Sequence, residues 1–277
     1  MATTGLISPA EINYIREGFA VGIRADGRAL RQYREYLLGL DVISHSSGSA
    51  RCRIGFGTDV LVGVKVEVSN IEPGEVPNRG KVVCNVECSP STTQNWDSRA
   101  ADELNNELTQ FLHRCLNDYD GIDLEKLCII PNQSCWILYV DALVLDFGGN
   151  LYDTLLMAVR AALFNTRIPK VHIEETGDDG EKEFDVIDDP EEAEPVPGWA
   201  DVPLAVTLNW ANQTYFVDAS EMEEHCTDAK LTVTVNKNGH ICAIQKSGLG
   251  AIPQKVYPEM LTVRIRQEWG VPLALWP

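Results

Sequence analysis

A mixed α/β (α+β) fold made of two successive β-α units is the architecture the sequence predicts. Three observations carry it. From Leu37 to Glu87 apolar residues recur at a period of two, the signature of strands. Two later segments, near 98–117 and 151–165, carry apolar residues at helical spacing. The same order of strands and then helix recurs in shorter form after residue 198, which suggests tandem units with helices sandwiched between sheets or laid on one face. With 277 residues, 44% of them hydrophobic, the chain can bury a large core as one domain or two.

Taken in order, Ser8-Pro9-Ala10-Glu11 predicts a helix start, with Ser8 as cap, Pro9 at the first helical position and Glu11 closing a capping box. Ile12, Ile15 and Phe19 form its apolar stripe, and Gly22 stops it. Strands are expected near 37–44, 50–56, 59–68 and 81–88. Gly57-Thr58-Asp59 is a compact turn between two of them, and residues 72–80 are a longer exposed loop. The helix near 98–117 places Leu104, Leu108, Phe111, Leu112, Cys115 and Leu116 on one face. Residues 134–145 form an apolar strand, covered on both faces or by helices on one side and another protein on the other. Asp146 to Asn150 turns it into the 151–165 helix.

Beyond residue 198, strands are expected near 203–210, 213–217, 231–236 and 240–246. Asp218-Ala219-Ser220-Glu221 opens a short capped helix, Asn238-Gly239 makes a hairpin turn, and a final helix covers about 253–268.

The formal net charge is −18, which argues against a freestanding nucleic-acid binder. The charge is uneven: residues 174–194 hold twelve acids and one base, Lys182. That segment reads as a solvated excursion or an irregular hairpin. None of the eight cysteines forms a CxxC and the five histidines are scattered, so neither a metal site nor a cofactor is expected. The opening residues show no secretory pattern, and no apolar stretch reaches 18 residues, so no membrane span is expected.

Five segments carry a family resemblance: Arg24-Ala25-Asp26-Gly27-Arg28, residues 57–63 (GTDVLVG), 131–136 (PNQSCW), 140–150 (VDALVLDFGGN) and Gly198-Trp199-Ala200-Asp201-Val202-Pro203. In this order and spacing the chain resembles the RNase PH superfamily, and within it the ring subunits of the eukaryotic RNA exosome. The resemblance implies tandem RNase PH-type β-α units, the first half like ribosomal protein S5 domain 2. The expected layout is a lead-in at 1–30, a first domain at 31–173, an acidic linker at 174–197 and a second domain at 198–277. It also implies a place among five other RNase PH-like ring subunits, with three S1/KH-type cap subunits, associated catalytic exoribonucleases and single-stranded RNA as partners, in nucleus, nucleolus and cytoplasm.

Phosphorolytic members need phosphate-gripping donors and an acid near the scissile linkage. Asp201 matches the family's glycine-x-x-aspartate-x-proline acid, but residues 191–197 offer no clear second aspartate. No glycine-serine-arginine cradle follows, since residues 209–213 read Asn-Trp-Ala-Asn-Gln. The expectation is therefore a non-catalytic ring subunit with Asp201 as a remnant; the alternative is an active phosphate-dependent 3′-5′ exoribonuclease. Arg79, Lys81 and Arg99 are the candidate RNA contacts, each weighed against ordinary surface charge. Asp26 is expected to hold a turn between arginines, and residues 24–53, with six arginines against three acids, form the most basic stretch. Asp141, Asp146 and Asp153 are read as turn and helix-start residues rather than a magnesium site.

Overall fold

The structure, a computed structural model, describes residues 7–74, 76–90, 92, 98–118, 121–176, 181–187 and 189–261. Helix α1 (Pro9–Ala20) begins at Ser8, whose hydroxyl accepts from the Glu11 N–H while the Glu11 carboxylate accepts from Ser8 N–H. Ile15 and Phe19 are its buried stripe, and Phe19 stacks on Phe216 at 4.3 Å.

The first sheet is assembled from β1 (Tyr36–Leu40), β2 (Gly48–Ile54), β3 (Thr58–Asn70), β4 (Lys81–Cys88), β5 (Cys128–Ile130) and β6 (Ser134–Asp146). Its order is β1-β2-β3-β6-β4, with β5 added beside β6. Strands β2 and β3, joined by the turn before Thr58, pair antiparallel, whereas β4 runs parallel to β6. The long connection needed for that crossover contains α2 (Ser98–His113), which ends in one wider π turn, Arg114–Asp118. Beyond Tyr139, β6 alternates buried and exposed residues, so helices cover one of its faces and Asp141 and Leu143 face outward.

Helix α3 (Leu151–Asn165) follows β6 through Gly148-Gly149-Asn150. A glycine is required at 149, where φ is +87° and an added Cβ would lie 2.6 Å from the Ser220 carbonyl carbon. At Gly57 an added Cβ would meet Gly148 Cα at 2.9 Å, so these two turns are packed backbone on backbone.

Two short bridges, β7 (Arg167–Ile168) and β10 (Glu194–Pro195), pair with one another. Between them β8 (Val171–Thr176) and β9 (Glu181–Val186) form an antiparallel hairpin. The acidic stretch is therefore a hairpin in regular register over these residues; its turn, 177–180, lies outside the described residues.

The second sheet has the order β12-β11-β13-β14, from β11 (Leu204–Ala211), β12 (Thr214–Val217), β13 (Ala229–Val235) and β14 (Ile241–Ser247). Helix α4 (Glu221–His225) is capped by Ser220 with Glu223, not opened at Asp218. Helix α5 (Tyr257–Leu261) starts later than the expected C-terminal helix, because residues 254–256 form a turn; residues 262–268 lie outside the described residues.

Helix α3 packs against β2 and β3 on one side and β11 on the other, so one continuous core joins both sheets. Truncating a residue buried in that shared layer should loosen both domains together. We expect Leu155→Ala to lower stability by about 3 kcal/mol. Denaturant unfolding followed by circular dichroism and by tryptophan fluorescence should still give one coincident transition. Two separated transitions would show that the halves unfold independently.

Candidate functional site

The Arg24–Arg28 segment is structural. Arg24 is buried, donates from Nε and Nη2 to the Glu223 carboxylate at 2.9 and 2.5 Å, and reaches the carbonyls of Val217 and Asp218 at 3.0 and 2.8 Å. Its guanidinium also lies over the Phe216 ring at 5.2 Å. Asp26 holds the turn as its sequence suggests, accepting from Arg28 N–H at 3.1 Å and Nε at 2.6 Å. Asp218, in a left-handed conformation with φ 46°, accepts from Arg28 Nη1, Arg34 N–H, Nε and Nη2, and Asn150 Nδ2, all within 2.9 Å. Burial alone would raise the Asp218 carboxyl, but the hydrogen bonds and charge of Arg34, then the charge of Arg28, hold it below its ordinary value. With Arg31 bonded to Tyr215 and Arg51 to Asp59, most of the basic stretch is spent on intramolecular contacts.

Asp153 lies in the first turn of α3, in keeping with a helix-start role, and is fully buried. Its Oδ2 accepts from Tyr33 Oη at 2.7 Å and Thr207 N–H at 3.1 Å, and its Oδ1 from Thr207 Oγ1 at 2.8 Å. It thus ties the segment just before β1, α3 and β11 together. Asp141 and Asp146 are exposed on β6, so the three acids do not converge. Among the described residues no group of three His, Cys, Asp or Glu could hold a metal ion.

Asp201 ends a 3-10 turn, Trp199–Asp201, at the entry to β11. Both carboxylate oxygens are taken by Lys237 Nζ, at 3.0 and 3.1 Å, from the turn between β13 and β14. Beneath it, Arg160 donates to the carbonyls of Val202 and Ala200 at 2.9 Å each. Burial pushes the Arg160 guanidinium down to about 10, partly offset by the Asp201 charge. Where a phosphate cradle would follow, residues 209–211 are buried in β11. Asn212 and Gln213, both at positive φ, turn the chain into β12 with Asn212 Nδ2 on the Arg16 carbonyl. No cationic side chain occupies that turn.

The three candidate RNA contacts are not brought together. Arg79 and Lys81 lie at the start of β4, where Gly80 N–H bonds the Leu124 carbonyl and Lys81 Nζ reaches the Asn70 carbonyl at 3.4 Å. Asp201 shares this end, because the Asp123 N–H bonds the Pro197 carbonyl. Arg99 opens α2 beyond the other end of β4, which its seven steps place about 23 Å away at ~3.3 Å per residue. It is 85% exposed and paired with Glu103 at 3.3 Å.

Two substitutions test these placements. Arg24→Ala would strand a buried Glu223 and should cost about 3–5 kcal/mol. For Asp153, burial pushes the carboxyl up to about 7, against the pull of Tyr33 and Thr207 and reinforced by the Asp218 charge. Since the folded value exceeds the unfolded one of about 3.9, its contribution is full below pH ~4 and falls as pH rises toward 7, by at most about 1.4 kcal/mol per unit. Asp153→Asn should remove that slope. Urea titrations of both forms at pH 5 and pH 7.5 should show the wild type losing more stability between them; equal losses would refute the assignment.

The comparisons agree on one family. Residues 32–169 match the 3′ exoribonuclease family, domain 1, and residues 201–267 its domain 2. The exosome complex component Rrp42 of Thermococcus kodakarensis is 36% identical over 256 residues, covering 92% of this chain and 90% of that protein. A Dictyostelium discoideum relative, 33% identical with 92% of each chain covered, is provisionally named as an exosome complex exonuclease, RRP42. Among solved structures, a chain of the Archaeoglobus fulgidus exosome with RNA bound to the active site superposes with a TM-score of 0.76 at 32% identity, over 92% of this chain and 93% of that one.

Proposed function

Because the chain belongs to the 3′ exoribonuclease (RNase PH) family through both of its domains, we propose that it is a non-catalytic ring subunit of an RNA exosome. In this role it shapes the channel that delivers single-stranded RNA to a separate nuclease. Relatives named as exosome components and the fold shared with exosome core chains support the ring assignment. One observation in favour of catalytic silence is the Asp201–Lys237 pair, which engages part of the hydrogen-bonding capacity of both carboxylate oxygens in an intramolecular contact. The absence of a cationic side chain in the Asn212-Gln213 turn points the same way, because attacking phosphate would find no grip there.

The proposed assembly joins five other RNase PH-like subunits, three S1/KH-type caps and associated catalytic exoribonucleases, in nucleus, nucleolus and cytoplasm. Strands β1 and β14 at the sheet edges, with Leu37, Leu40, Ile241 and Ile244 exposed on them, supply apolar material for subunit contacts. Arg79 with Lys81 at one end of β4, and Arg99 at the other, are the proposed phosphate contacts. They would grip backbone rather than bases and so carry no sequence preference.

Purified chain should release no nucleoside diphosphate from single-stranded RNA, with or without inorganic phosphate. Phosphate-dependent release lost in Asp201→Ala would establish the active-exonuclease alternative instead. In the reconstituted ring, neutralising Arg79, Lys81 and Arg99 together should weaken RNA binding and lower its salt slope by roughly 1 unit for each lost contact. Unchanged RNA crosslinks and slope would return these three residues to ordinary surface charge.

A further inference from the structure

Cys128 on β5 and Cys135 on β6 are direct partners across an antiparallel pair. Leu127, Ile129, Trp136 and Leu138 belong to the core, which leaves the two cysteines between them turned to the same opposite face. Both are thiols. Opposed Cα atoms in such a pair stand about 4.5–5.5 Å apart, inside the roughly 4.4–6.8 Å that a disulfide spans. The Cβ atoms, at about 4.5–5.5 Å, need to close by up to about 1 Å to meet disulfide geometry. The ladder is irregular between Cys128 and Ile130, which gives β5 play at this point. The rest of the hairpin is held. Gln133 N–H bonds the Ile130 carbonyl at 3.1 Å, Asn132 N–H the Pro77 carbonyl at 2.9 Å and Ile71 N–H the Gln133 carbonyl at 3.0 Å. Gly80 wedges both flanks, since an added Cβ there would overlap Leu127 Cβ and lie 2.7 Å from the Trp136 carbonyl oxygen.

Access separates the two sulfurs. Cys128 is half-buried and Cys135 fully buried, so a reagent from solution meets Cys128 first. No other cysteine shares this arrangement among the described residues. Cys52, Cys84, Cys115 and Cys226 are buried, half-buried Cys88 lies opposite Val144, and Cys242 lies beside β13, which holds no cysteine. We propose that Cys128 and Cys135 form a reversible dithiol–disulfide couple that exchanges with low-molecular-weight disulfides such as oxidised glutathione. The Cys128 thiolate attacks one glutathione sulfur, the glutathione S–S bond breaks, and the departing thiolate takes up the proton that Cys128 lost. The Cys135 sulfur then attacks the Cys128 sulfur, and the second glutathione leaves with the Cys135 proton. The two cysteines lose two electrons and the glutathione disulfide gains them. The Cβ closure that the bond demands makes it easily reduced, so the couple follows the surrounding thiol pool rather than acting as a permanent clasp. Burial raises the Cys128 thiol above its ordinary value, so exchange quickens as pH rises. None of this depends on Asp201 or on the proposed RNA contacts.

The test equilibrates the full chain in mixtures of reduced and oxidised glutathione, then denatures, alkylates and digests it with trypsin for mass spectrometry. Residues 127–160 lie between successive tryptic sites, Lys126 and Arg160, and hold these two cysteines and no others. As the mixture becomes more oxidising, this peptide should pass from a doubly alkylated form to one without alkyl groups and two hydrogens lighter. Cys135→Ser should stop with one glutathione on Cys128, and Cys128→Ser should leave Cys135 unmodified. The equilibrium constant against glutathione should fall at least tenfold in guanidinium, where the fold no longer sets the strands opposite one another. A wild-type peptide that stays a dithiol, or that stops at the glutathione adduct, would overturn the couple. Equal constants in the folded and unfolded chain would overturn it too, by reducing the pairing to closeness along the sequence; these comparisons need no variant to fold.

Discussion

A helix buried on every side has no solvent face on which to place a polar group, and α3 is such a helix. Twelve of its residues are buried, among them Asp153, Thr154 and Arg160. Each polar side chain must find its partners outside the helix or at its end, and most of their polar atoms do, the Arg160 Nε having no hydrogen-bond partner among the described residues. Asp153 takes Tyr33 and Thr207, Thr154 Oγ1 bonds the Asn150 carbonyl, and Arg160 bonds the carbonyls of Ala200 and Val202. These partners come from the segment just before β1, the β6–α3 turn, and β11 with its entry. The cost of leaving these buried groups without partners thereby favours the way the two sheets sit against one helix.

The Arg24, Arg28, Arg34, Asp218 and Glu223 network works under the same constraint at the helix N-terminus. Removing five charges from water costs more than a comparable apolar cluster would, so its value is not simply stability. It makes misaligned packing expensive, because sliding α4 or the lead-in would leave a charge without its partner. Asn150 joins the end of β6 to this cluster through Asp218. The two conspicuous motifs, the arginine-flanked Asp26 and the glycine pair at 148–149, therefore meet at one junction that holds the domains in register. A segment that looks like a basic binding patch along the chain is mostly internal wiring in three dimensions.

Much of this architecture was legible in the residues because it rests on local signals. The period-two runs delimit β4, and the apolar helical pattern gives the bounds of α3. The Ser8 capping box is local chemistry and appears as such. What escaped depends on partners far along the chain. Asp153 looks like any acid in a first helical turn, and only the arrival of Thr207, 54 residues later, makes it a buried link. Asp218 reads as a cap, yet its left-handed backbone hands that role to Ser220 and frees its carboxylate for three other residues. The parallel pairing of β4 with β6 depends on partners far along the chain, since β4 alternates as an antiparallel strand does. For Asp201 the missing neighbours were readable, but the lysine facing it was not, because Lys237 sits in a turn 36 residues away.

Net charge and the layout of cations together constrain how such a chain meets RNA. With −18 overall and the acidic hairpin on one side, favourable phosphate contact is confined to local cations that outweigh the surrounding field. On the ring-subunit reading those cations stand at opposite ends of β4, so a strand touching both would travel along that strand's direction rather than settle into one pocket. Such a geometry suits passage better than catalysis, which needs acid, phosphate grip and substrate to converge within hydrogen-bond reach. Asp201 is at the Arg79 end, but its carboxylate is already engaged by Lys237.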